Sequence, residues 1–343
     1  MDSKGDVWMK VIYKNRRYIY GVLLLFMAIL PWAVKTDYFL NLIVLTFFYA
    51  ALAGAWNIIG GYAGQFSVGH CTFFGIGAYT STLLFLNLGI SPWIGMVIGG
   101  ILAAIAGILV GWPCFRLTGP YFVLATLAIG EIMKILATFF KELTNGSVGL
   151  DMMSQSSPQN FLFAGKMPYA YIALLFMLLV VAVSYKIGRS KMGYYLIALR
   201  EDQEAAESLG IFSSRNKIYA MIISSFFTGM AGTFYAQYLL FIDPFIVFSV
   251  DISVQPVLMT IIGGSATVLG PVVGAMILIP LDGLLRLWIG QAFSGLSFII
   301  YGLILILVVV LLPRGLVDLV QSKMRASIKR DEKQDRAEAV VYH

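Results

Sequence analysis

The sequence predicts an all-α polytopic membrane protein with roughly ten membrane-crossing or half-crossing helices, at about 20 residues to a full span. Three observations predict it. Of the 343 residues, 59% are hydrophobic and only 12% are charged, whereas soluble domains carry roughly 25% charged residues. The hydrophobic residues come in runs of span length, separated by turns bearing Gly, Pro or charge. The charges themselves are gathered into a few blocks, the longest of them in mid-chain.

The 24 Lys and Arg residues outnumber the 18 acids, for a net charge of +6. Their placement explains the excess without any nucleic-acid role. Lys4, Lys10, Lys14, Arg16 and Arg17 stand at the start, and Arg116 follows the fourth hydrophobic run. Lys186, Arg189, Lys191, Arg200, Arg215 and Lys217 lie in or beside the central block. Arg314, Lys323, Arg325, Lys329, Arg330, Lys333 and Arg336 close the chain. If these four regions share the cytoplasmic side, the positive-inside rule is met and both termini are cytoplasmic. The opposite loops then keep only Lys35, Lys141 and Lys166, with Lys134 and Arg286 in or near spans. Cys71 and Cys114 both lie in or next to hydrophobic runs and define no disulfide framework. The first run lacks a small-residue cleavage site and reads as an uncleaved span.

Taken in order, residues 1–18 form a basic cytoplasmic head and 19–316 the membrane domain, followed by a charged cytoplasmic tail over 317–343. Residues 18–34 cross outward and 38–59 return. The next stretch, GGYAGQFSVGHCTFFGIGAY, has Gly60, Gly61, Gly64, Gly69, Gly75 and Gly77. Each Gly weakens a helix by about 1 kcal/mol relative to Ala, so a broken or re-entrant element is expected there, running into a span near Leu86. In a membrane such irregular backbone must be packed in protein or line a cavity. Spans are expected over 92–110, 121–140 and 169–187, with the longest outer loop over 141–168. After the central block, spans cover 218–242, a short piece 254–262 broken at Gly263-Gly264-Ser265, then 268–285 and 296–312. IIGG occurs at residues 58–61 and again at 261–264. Among 34 glycines so short a match reads as coincidence, although broken repeats do mark substrate paths in transporters.

The central block, KMGYYLIALREDQEAAESLGIFSSRNK, cannot cross lipid, because a single buried Arg or Asp costs about 2.5–3.5 kcal/mol on insertion scales. One helix over 194–209 is expected, with Tyr195, Leu196, Leu199, Ala206 and Leu209 as its apolar face and Gly210 as its stop. A short amphipathic helix held between two spans suits docking on a partner. Within it, Glu204-Ala205-Ala206 followed by Gly210 has the EAAxxxG spacing. The bland reading is a solvated charged loop.

The spacing resembles the EAA loop of ABC-importer permeases, whose short helix fits a groove on the ATP-hydrolysing subunit. ALREDQEAAESLGI, GYAGQFSVGHCTFFGIGAY, RLTGPYFVLATLAIGEI, IIGGSATVLGPVVGA and LLPRGL together resemble, in order from about residue 40 to 316, the LivM-type permease of branched-chain amino acid ABC transporters. Two departures stand out: Pro120 after Gly119, and Asn145-Gly146-Ser147 in the outer loop in place of a Thr-Gly-Gly-like run. The resemblance implies a bacterial inner-membrane protein, a second LivH-like permease, two ABC ATPases and a periplasmic substrate-binding protein. It implies ATP and Mg in the ATPases and no cofactor here, with Arg200, Glu204, Ala205, Ala206 and Gly210 coupling to them. Asn145-Gly146-Ser147 is also a formal glycosylation sequon, without weight in a bacterial family. No GxxxxGK[ST] loop occurs, since Gly165-Lys166-Met167 lacks the hydroxyl residue, so no P-loop nucleotide site is expected.

Around the Gly-rich break, Asn57, Gln65, Ser67, His70 and Thr72 are candidates for the substrate path. Such side chains serve interhelical hydrogen bonding at least as often, and hydrogen bonding within the break is the expected role of His70. Glu131 and Lys134, and Asp282 and Arg286, are placed to pair along helices, and read as structural pairs near the outer interface. The alternatives are a urea, short-amide or other amino acid ABC permease, or, in another class, an ion-coupled transporter or channel with Glu131 as its essential acid.

Overall fold

The structure, a computed structural model, describes residues 16–34, 36–152, 157–288, 294–311 and 315–317. Residues 1–15 of the expected head over 1–18, and the expected tail beyond 317, lie outside the described residues, and Arg16 to Tyr18 begin the first helix. The long helices are α1 (Arg16–Ala33), α2 (Asp37–Asn57), α3 (His70–Leu88), α4 (Pro92–Cys114), α5 (Pro120–Phe139) and α6 (Lys166–Gly188). Two short helices, α7 (Lys191–Glu201) and α8 (Gln203–Ser208), precede α9 (Ser213–Leu239), α10 (Val250–Gly263), α11 (Gly270–Trp288) and α12 (Ser294–Leu311). Among the described residues, 8 helices are long and apolar enough to cross a membrane, and Leu24–Ala33 and Ile299–Val308 are shorter apolar pieces. Between α5 and α6, β1 (Leu150–Asp151) pairs antiparallel with β2 (Phe241–Ile242), which follows α9. This is the polytopic all-α architecture that hydropathy predicts.

Two helices organise the packing. α2 is apolar on every side, the signature of a helix enclosed by others, and 89% of its most apolar stretch is buried. It contacts α6, α9, α10 and α11. α9 is the more polar centre and packs on α3 and α4. Its small hydroxyl residues are buried but satisfied: Ser225 donates to the Met221 carbonyl at 2.6 Å, Thr228 to Ser224 at 2.8 Å and Thr233 to Gly77 at 3.0 Å. On α4, Gly95, Gly99, Ala103, Gly107 and Gly111 recur every fourth residue on the buried side. That small-residue stripe lets α3 and α9 approach closely. The spacing is legible in the sequence, though hydropathy does not reveal it.

The Gly-rich break is real but shorter than expected. α2 passes into a π-helical turn at Ile58–Tyr62, and 63–69 are non-helical before α3 begins at His70. Gly75 and Gly77 lie inside α3, which is a regular helix. Their lack of a side chain serves packing, since a Cβ would strike the Phe248 ring at Gly75 and the Gly229 backbone at Gly77. The second break, 264–269, separates α10 from α11, and Thr267 bridges it by donating to the Gly264 carbonyl and accepting from the Gly270 amide. Gly119 and Pro120 also find their reason. Pro120 occupies the first turn of α5, where its missing N–H is harmless, and Gly119 supplies the φ of +55° before it.

Candidate functional site

The central block folds as an elbow, not as one helix. Ser190 caps α7 by accepting from the Gly193 amide, and Leu196 and Leu199 bury its inner face. Leu196 packs in the cluster that holds Ile58, Ile59 and Tyr62 of the first break. At Asp202 the backbone turns extended (φ −155°, ψ 109°), and its carboxylate accepts from the Ala205 amide to start α8. Asp is a strong N-cap, and that competition ends α7 one residue earlier. α8 closes at Gly210 (φ +84°), with the Gly210 amide donating to the Glu207 carbonyl and the Ile211 amide to Ala206. This is the Schellman arrangement that a C-terminal Gly permits. Because the two helices diverge, the expected common apolar face splits. Leu196, Leu199 and Ala206 are buried, whereas Tyr195 is exposed and Leu209 is 83% exposed.

Two cations tie the elbow to the bundle. Buried Lys217, in the first turns of α9, donates to Gln203 Oε1 at 2.8 Å. Arg200 donates from Nη1 to the Gly61 carbonyl at 3.2 Å and pairs with Glu201. Its stem crosses Gly64 (φ +67°), where a Cβ would come within 2.6 Å of Arg200 Cγ. The elbow therefore rests directly on the first break. Gly64→Val is expected to unseat Arg200 and speed proteolytic cleavage between 200 and 212 in the detergent-solubilised chain. Unchanged cleavage would mean that this contact does not hold the elbow. Glu204, Ala205 and Gly210 are exposed, beside Leu209 and Phe212 (73% exposed).

The break gathers the other candidate residues. Asn57, Ser67, His70 and Thr72 are buried, while Gln65 is partly exposed. Asn57 Nδ2 donates to the Thr267 carbonyl at 2.9 Å, and its Oδ1 accepts from the Ala266 amide at 2.9 Å. One side chain thus joins the first break to the second, and the two IIGG segments, which read as coincidence in sequence, end beside each other. Ser224 Oγ donates to the Ala55 carbonyl at 2.7 Å and so must accept from His70 Nε2 at 2.9 Å. That assigns the proton to Nε2, leaving Nδ1 to accept from Ser67 Oγ at 2.9 Å. His70 hence bonds within the break, as expected, and also across to α9. Gln65 lines a cleft of about 490 Å³ with Phe66, Gly119, Pro120, Val123 and Leu124. Both intrahelical ion pairs form, Lys134 with Glu131 and Arg286 with Asp282.

A bundle of apolar helices, two of them interrupted at touching breaks, with a charged elbow seated on one break, defines a multi-pass membrane permease. The chain belongs to the family described as "Branched-chain amino acid transport system / permease component", which matches residues 38–309. It is 28% identical over 335 residues to the high-affinity branched-chain amino acid transport system permease protein LivM of Escherichia coli K12, covering 91% of this chain and 77% of that protein. The LivM protein of Salmonella typhimurium LT2 is 29% identical over 330 residues, with 88% and 76% covered. The LivH permease of the same bacterium is 25% identical over 285 residues, with 78% of this chain and 90% of LivH covered. No solved structure matches.

Proposed function

We propose that this chain is one of two permease subunits of a bacterial inner-membrane ABC importer that carries leucine, isoleucine and valine into the cytoplasm. Its partners are a LivH-like permease, two ATPases holding ATP and Mg, and a periplasmic substrate-binding protein. Both termini and the α7–α8 elbow face the cytoplasm. The observation that carries this reading is the elbow. Its tip presents Leu209 and Phe212 to solvent amid charge, while its base, through Arg200, touches the Gly61 carbonyl.

An ATPase groove takes the tip, with Glu204 as a charged anchor and Ala205 allowing close approach. When ATP closes the ATPase dimer, the elbow moves as a unit and carries the first break with it. ATP shifts the population only because the closed dimer favours one arrangement of the permeases. Of the candidate path residues, Gln65 fronts the cleft, while Asn57, Ser67, His70 and Thr72 shape the break behind it.

Affinity capture of the full chain, coexpressed with its companion subunits, tests the docking. A P-loop ATPase is expected to co-purify with the wild type and to be lost from Leu209→Glu/Phe212→Glu. Glu204→Lys is expected to lower leucine uptake at least about tenfold, the loss of one charge-assisted contact together with a like-charge clash. Capture of the wild type without any ATPase, or full uptake with Glu204→Lys, would overturn the reading.

A further inference from the structure

Among the 8 helices long and apolar enough to cross a membrane, α5 is the least covered: 17% of its most apolar stretch is buried, against 39% or more in the others. Yet it carries opposite charges near its middle. Glu131 lies about 16 Å along a helix about 30 Å long, and Lys134 stands one turn further on, well inside hydrocarbon depth. The Lys134 side chain is 23% exposed and that of Glu131 37%. Lys134 Nζ is 2.7 Å from Glu131 Oε1 and 2.5 Å from Oε2. Among the described residues neither side chain has another hydrogen-bond partner.

Charged groups in membrane helices turn towards protein or water rather than lipid. This pair stays open on one flank. Helical spacing puts Val123, Leu127, Glu131 and Lys134 on one stripe, and Val123 lines the cleft that Gln65 fronts. Next to the pair stand two exposed aliphatic side chains, Ile132 at 53% and Ile135 at 63%. Thr72, whose buried hydroxyl has no partner among the described residues, lies on the other side against Gly130.

We propose that Glu131 and Lys134 hold the two charges of an aliphatic amino acid in transit, Glu131 taking the α-ammonium and Lys134 the α-carboxylate, with the side chain on Ile132 and Ile135. The assignment rests on the branched-chain reading above and gives it a site. The exchange is electroneutral, since a zwitterion opens one ion pair and makes two. Urea or a short amide brings neither charge, and an inorganic ion brings only one.

The test is radiolabelled leucine uptake by the intact importer, with its companion subunits and binding protein, in cells lacking other branched-chain uptake. Uptake is expressed per assembled complex. Glu131→Gln, Lys134→Met and the double variant are each expected to lower it at least about tenfold. The double variant distinguishes the two roles. Removing both charges relieves a purely structural pair, so uptake would recover towards wild type, whereas a zwitterion site stays broken. Recovery in the double variant, wild-type uptake in all three, or failure of all three to assemble would overturn the proposal alone. A wild-type importer that moves no leucine would overturn the transport reading, and the site with it.

Discussion

Asn57→Leu is expected to lower the thermal stability of the detergent-solubilised chain by a few degrees and to leave less of it in the membrane. Leucine has similar bulk but no polar atoms. The Ala266 N–H and Thr267 carbonyl, now held by the Asn57 carboxamide, would lose their partner. A fully buried unsatisfied group costs about 1–3 kcal/mol; both bonds are part-buried, so about 1–3 kcal/mol in all is at stake against total stabilities of about 5–15 kcal/mol. The loss falls where the two breaks join, so both should loosen together. Gly61→Ala is expected to reproduce the defect from the opposite side, because its Cβ would occupy the space of Asn57 Oδ1. Fluorescence-detected size exclusion after heating measures both. A midpoint within about 0.5 °C of wild type for Asn57→Leu, a shift of about 0.4 kcal/mol for a chain of 343 residues, would show that the bridge contributes nothing.

Gly77→Leu is expected to be more damaging, for the opposite reason. α3, α4 and α9 meet at Gly77, where a side chain would enter the backbone of Gly229, with Gly99 close behind. The obstacle is main chain, which cannot rotate away, and Thr233 also holds the Gly77 carbonyl at 3.0 Å. Even modest overpacking costs about 1–3 kcal/mol. A leucine here must separate whole helices, so no folded chain is expected to accumulate. Gly302→Ala on α12 supplies the contrast, since nothing lies within 4 Å of its Cβ position. That change should be neutral or stabilising, because Ala favours helix by about 1 kcal/mol. Gly77→Ala and Gly302→Ala giving equal amounts of folded chain would refute the close crossing.

The candidate site was partly legible before folding. Glu204-Ala205-Ala206 and Gly210 marked the elbow, and Gly210 does end α8. The break at Asp202 was within reach too, because an Asp followed three residues later by an amide it can cap is a recognisable helix start. The apolar periodicity of Tyr195 to Leu209 predicts one helix, and the Asp202 cap overrides it. Arg200 was placed in the coupling segment by resemblance alone. Its contact with Gly61 spans 139 residues of sequence, and no local pattern encodes it. The partners of Asn57 lie 209 and 210 residues away, so it looked like a polar residue near a gap and not the joint between two.

By itself the sequence determined that the chain is built of apolar helices of span length and roughly where they stop. Lipid leaves backbone groups no other partner than their own helix, so composition over about 20 residues decides these matters. Only the tertiary structure decided which glycines interrupt a helix and which admit a neighbour, as Gly64 and Gly77 illustrate. It also decided that the two IIGG segments meet and that the elbow rests on the first of them. Those outcomes depend on which distant backbones come within a few ångströms, and a residue's local propensity carries no record of that distance.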